Sequence, residues 1–155
     1  MKSLRKLSFL IVVFALSLSV TFAKEGDRKN EKAAEKGIQF TEGSWAAILK
    51  KAKKEKKVIF FDAYTTWCGP CKLLQKNVFT RTDVADVFNK NFINVKFDME
   101  SGEGPELAKK FEIQGYPTLF FIDPKGNIVK QVLGYQQPEA LIKTAKSVLK
   151  TPVDA

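Results

Sequence analysis

Histidine is absent from the 155 residues and cysteine occurs only twice. A structural zinc site takes four Cys/His ligands, so a single copy of this chain cannot assemble one. Cys68-Gly69-Pro70-Cys71 is therefore read as a thiol pair, and no metal is expected. Uninterrupted apolar runs are short. Leu7 to Val20, the apolar stretch near the start, is broken by serines and falls below the roughly 20 residues that span a bilayer. No internal repeat, nucleotide-binding motif or flavin site is recognisable, so no cofactor is expected.

What the chain has in excess is positive charge, +9 overall. Such a surplus in a small protein raises the question of an acidic partner. Its distribution answers it. Residues 1–23 carry three basic groups, residues 24–57 carry eleven against six acidic ones, and residues 58–155 are nearly balanced, with twelve against eleven. The surplus precedes the body of the chain, in lysine runs around Lys29 to Lys36 and Lys50 to Lys57, and reads as solvated faces rather than a nucleic-acid site. Residues 1–23 read as a signal peptide: Lys2, Arg5 and Lys6, then the apolar run, then Thr21-Phe22-Ala23 as a cleavage site. Export with cleavage after Ala23 is expected, the alternative being an uncleaved anchor. No cysteine follows the run to take a lipid.

Residues 24–37 are charged and poor in large apolar groups, the composition of a flexible linker, and a single domain is expected over residues 38–155. Ser44 can cap a helix running to about Lys56, with Trp45, Ile48, Leu49 and Ala52 at helical spacing. Val58 to Tyr64 is apolar except for Asp62, as in a strand buried on both faces. A helix is expected from the CGPC turn through Val78, another over Asp83 to Asn91 with Thr82 as its cap, a strand over Ile93 to Asp98 and a helix over Pro105 to Phe111. Thr118 to Ile122 and Ile128 to Leu133 read as strands joined by the turn Asp123-Pro124-Lys125-Gly126-Asn127, and Pro138 to Leu149 as a closing amphipathic helix. This order predicts an α/β fold with a central mixed β-sheet, parallel central strands plus an antiparallel edge hairpin, flanked by helices.

Trp67-Cys68-Gly69-Pro70-Cys71-Lys72 resembles the active-site motif of the thioredoxin-like family. The resemblance extends over roughly residues 45–150. Asp62 falls where that family has a buried aspartate, and Lys96 where it has a lysine near that acid. Gly115-Tyr116-Pro117-Thr118 matches the segment whose proline follows a cis peptide bond, and Gly134 the glycine after the last strand. The implied site is catalytic Cys68, Cys71, Asp62 and Lys96, with Trp67, Gly69, Pro70, Gly115, Tyr116, Pro117 and Gly134 around the substrate.

A free thiol ionises near pH 8.5, and a cysteine at a helix start gains unpaired N–H groups and the positive end of the helix dipole, which favour the thiolate. Cys68 is thus the expected attacker. Cys71, one turn on, is the expected resolving thiol, and Gly69-Pro70 suits the tight entry to the helix. Asp62, desolvated in an apolar strand, suits a group that takes the proton of Cys71; the alternative is an exposed strand-end aspartate. Lys96 either tunes Asp62 across neighbouring strands or is a surface lysine. Trp67 and Tyr116 either dock substrate or pack in the core.

Lys76 stands where ordinary thioredoxins have a kinking proline, and a few residues are inserted before the next helix. In this the chain resembles the exported branch that includes the C-terminal domain of membrane thiol:disulfide interchange proteins. The resemblance implies a periplasmic or otherwise exported monomer that reduces disulfide-containing proteins and is recharged by a membrane electron donor of that interchange type. The alternatives are a dithiol oxidase or isomerase, and a redox-inactive peptide-binding module.

Overall fold

A computed structural model of the protein describes residues 37–152. The expected signal peptide and nearly all of the expected linker lie outside the described residues. The elements run α1 (Trp45–Glu55), β1 (Val58–Tyr64), α2 (Gly69–Asn77), α3 (Thr82–Asn91), β2 (Phe92–Asp98), α4 (Gly104–Lys110), β3 (Thr118–Ile122), β4 (Ile128–Leu133) and α5 (Pro138–Val148).

One four-stranded sheet has the order β2-β1-β3-β4. β1 and β2 are parallel, with Asp62 opposite Lys96, whereas β1–β3 and β3–β4 are antiparallel. The sheet is mixed, as expected, but its parallel pair is β1–β2, and the two inner strands run in opposite directions. α2 and α3 together carry the chain back along the sheet, so β2 starts at the same end as β1. After β2 the chain turns back, and β3 runs antiparallel to β1.

Strand alternation divides the core between two faces. Val58 and Phe60 of β1 pack with Leu119 and Phe121 of β3 against Leu74 of α2, Val78 at its C-cap, Phe88 of α3 and Leu141 of α5. Ile59 and Phe61 pack with Phe120 and Ile122 against Trp45, Ile48 and Ala52 of α1 and Leu107 of α4. Each such side chain contributes about 1.5–3 kcal/mol through burial.

Ser44 caps α1, its Oγ accepting from the Ala47 N–H at 3.3 Å, and left-handed Lys56 ends the helix. Thr82 does not cap α3. It is the first helical residue, and Arg81 occupies the cap without a side-chain hydrogen bond. Its guanidinium instead bonds Asp83 at 2.9 and 2.8 Å. α4 likewise starts at Gly104, one residue before Pro105.

The segment before α1 is tied along β2, an edge strand. Thr41 N–H donates to Asn94 O at 2.7 Å, Asn94 Nδ2 to Gln39 O at 3.3 Å, and Gln39 N–H to Asn89 Oδ1 at 2.8 Å. Gly37, the last residue of the expected linker, accepts from Asn89 Nδ2 at 3.1 Å.

Candidate functional site

α2 begins at the motif because Cys68 adopts an extended backbone as its N-cap and a proline follows in the first turn, where its missing N–H leaves no hydrogen bond unmade. The Cys68 Sγ accepts from the Cys71 N–H at 3.1 Å. This is the contact by which a helix start holds an anionic sulfur. Cys68 and Cys71 are joined as a disulfide with Cα atoms 5.3 Å apart. In this oxidised state Cys68 is 3% and Cys71 1% exposed, so both are covered, while Gly69 and Pro70 are exposed beside them.

Asp62 is buried in β1, and neither carboxylate oxygen has a hydrogen-bond partner. Burial raises its pKa from 3.8 to about 7, against a smaller lowering by Lys96. Lys96 pairs in register with Asp62 and is exposed. Its Nζ lies 5.4 Å from the centre of the Phe40 ring. Alternation puts Asp62 on the Phe60 face of β1, the face covered by α2. Phe60 shares a core cluster with Leu74 and Val78 on that face.

Trp67 is 64% exposed and is not a core residue. Its Nε1 donates to both oxygens of Glu100 at 2.9 Å, and its ring meets Tyr116 edge-on with centroids 6.1 Å apart. Half-buried Tyr116 precedes buried Pro117, and the peptide between them is cis. Pro117 O accepts from Gly134 N–H at 2.7 Å, and Gly115 O accepts from the Thr118 hydroxyl at 2.6 Å. Gly134 has φ +85°, a left-handed conformation that favours glycine. Leu133 is 58% exposed and lies against Gly115. Ala63 pairs with Thr118, so Pro117 sits at the end of β1 from which the chain leaves for Cys68.

Three groupings emerge: the disulfide at the start of α2, the Asp62–Lys96 pair across β1 and β2, and an apolar rim of Trp67, Tyr116, Gly115 and Gly134. Glu100 was not foreseen. Its only sequence signal is a carboxylate just past the end of β2, and its indole partner lies 33 residues away. Leu133 was read only as a strand residue, and its exposure follows from its place on the edge hairpin. Phe40 lies ahead of the first expected helix and carried no signal.

A family model described as a thioredoxin-like domain matches residues 45–149. A DsbD thiol:disulfide interchange protein from Pseudoalteromonas atlantica is 30% identical over 105 residues, 65% of this chain and 18% of that protein. Thioredoxin H4 from Arabidopsis thaliana is 32% identical over 106 residues, 68% of this chain and 84% of that protein. The solution structure of a candidate disulphide-isomerase from Bacteroides thetaiotaomicron is 46% identical and has a TM-score of 0.67, covering 76% of this chain and 97% of that one. The chain thus spans about a sixth to a fifth of the interchange protein it matches.

Proposed function

The chain belongs to the thioredoxin-like domain family; we propose that it is a thiol-disulfide oxidoreductase and acts outside the cytoplasm as a reductase of protein disulfides. The observation that carries this reading is the Cys68 sulfur at the cap of α2, held by the Cys71 N–H. In the reduced protein the Cys68 thiolate attacks one sulfur of a substrate disulfide. That bond breaks, one substrate thiolate leaves, and a mixed disulfide joins Cys68 to the other sulfur. Cys71 passes its proton to Asp62 and attacks Cys68. The second substrate thiol is released and the Cys68–Cys71 bond forms. Two electrons have moved to the substrate, and a membrane dithiol donor of the interchange type returns them.

Asp62 suits the proton step because its pKa of about 7 lies near the working pH, and Lys96 moderates it. Trp67, Gly69, Pro70, Gly115, Tyr116, Pro117 and Gly134 form the surface on which an extended substrate segment lies, the backbone at Tyr116 pairing with it. The reducing direction is supported by the absence of histidine: an imidazolium beside the thiolate would stabilise the reduced form and make the pair more oxidising. Export with cleavage after Ala23 and action as a monomer complete the reading.

The name of the 46% identical Bacteroides relative favours an isomerase as the second reading. The equilibrium potential against glutathione separates oxidant from reductant: a value near -270 mV supports the reductase, and one near -120 mV overturns it. Reactivation of scrambled ribonuclease without added reductant would establish the isomerase.

A further inference from the structure

Phe40 lies outside the matched family region, residues 45–149, yet it touches the side chain that faces Asp62. Its backbone is held on both sides: Gln39 N–H donates to Asn89 Oδ1, Asn94 Nδ2 to Gln39 O, and Thr41 N–H to Asn94 O. Its ring packs on Phe79, centroids 5.5 Å apart. The Lys96 Nζ sits 5.4 Å from the ring centre, within the range at which an ammonium is attracted to an aromatic face. One cleft is lined by Phe40, Tyr64, Lys96 and Phe97, and a second by Phe40, Gln75, Phe79 and Lys96. Phe40, with Ile38 and Lys96, is shared by the two clefts. Lys96 makes no ion pair with Asp62, whose two oxygens have no partner.

We propose that Phe40 is a positioning residue for the thiol-disulfide exchange: its ring holds the Lys96 ammonium where it moderates Asp62 without pairing with it. The inference rests on the reading that Asp62 accepts a proton from Cys71. The charged or titratable groups coupled to Asp62 are Lys96 from β2, which lowers its pKa, and Tyr64 from β1, whose own pKa Asp62 and Asp98 raise; Cys71 of α2, its partner in the proposed proton step, carries no charge as a disulfide. Opposite Asp62 on β3 stands uncharged Leu119. Among the described residues Lys96 is therefore the one charge acting on the acid, and Phe40 is what fixes its position. Without the ring, the ammonium swings to the ionised carboxylate and stabilises it.

The test is a titration of the Asp62 carboxyl by carbon NMR in the oxidised protein. Phe40→Leu and Phe40→Met keep an apolar cover but remove the ring, and each lowers the Asp62 midpoint by about half a pH unit. Phe40→Tyr, which keeps the ring, restores it. In a Lys96→Gln background Phe40→Leu has no further effect. An unchanged or raised midpoint in both apolar variants, or the same shift with Lys96 removed, overturns the proposal. The titration reads the carboxyl itself, so this outcome is independent of whether Asp62→Asn slows turnover, which tests the underlying reading.

Discussion

Asp62 is the residue where stability and chemistry pull apart. Unfolded, its carboxyl loses its proton near pH 3.8; folded, it does so at about 7. Between those values the folded protein holds the extra proton, so stability falls as pH rises through the window and levels off above it. Asp62→Asn removes the buried charge. It is expected to stabilise the oxidised protein by a few kcal/mol at pH 8 and little at pH 4, read by denaturant unfolding, while slowing disulfide reduction at pH 7. Equal stability at both pH values would show that the carboxyl is not desolvated. Glu100→Ala frees the Trp67 indole and, at about 1 kcal/mol for a net hydrogen bond, raises KM for a protein substrate about fivefold with little change in kcat; steady-state kinetics checks it. Asp62 was legible in the sequence because a lone acid in an apolar strand stands out. Glu100 and Phe40 were not, because what matters about each is a partner brought near by folding.

At the scale of elements, β1, β3 and β4 matched the sequence reading residue for residue, since burial and turn residues mark their ends. Helix starts were harder. Ser44 caps α1 through its own side chain, whereas α3 begins at Thr82 with Arg81 in the cap position and no side-chain cap hydrogen bond, a start that cap preferences do not encode. Ser44→Ala should cost about 1 kcal/mol in unfolding free energy. Gly104 is tighter still: a Cβ there would collide with the backbone of Asp98 and Met99. Gly104→Ala should therefore lower Tm by more than Ser44→Ala does, and thermal unfolding of the two variants side by side tests it. The antiparallel inner pair was not legible because the connection from β2 to β3 is long enough for either strand direction, a choice that the order of elements leaves open.

For the molecule as a whole, the charge map and the proposed leader point the same way, with a basic start ahead of a nearly neutral remainder. Proposed export makes a direct prediction: N-terminal sequencing of the protein from its native envelope should begin at Lys24, and a retained Met1 would leave the leader as an anchor. Cooperation between the two sulfurs is also visible only in the intact protein. Cys71→Ser should accumulate mixed disulfides with its partners and Cys68→Ser none, as seen on non-reducing gels. Equal trapping by both would reverse the assigned roles.

The most direct test is the thiolate absorbance of the reduced protein followed against pH. One sulfur, identified as Cys68 by its loss in Cys68→Ser, should ionise more than a unit below the 8.5 of a free thiol. Two thiols that both ionise at or above 8.5 would contradict the account.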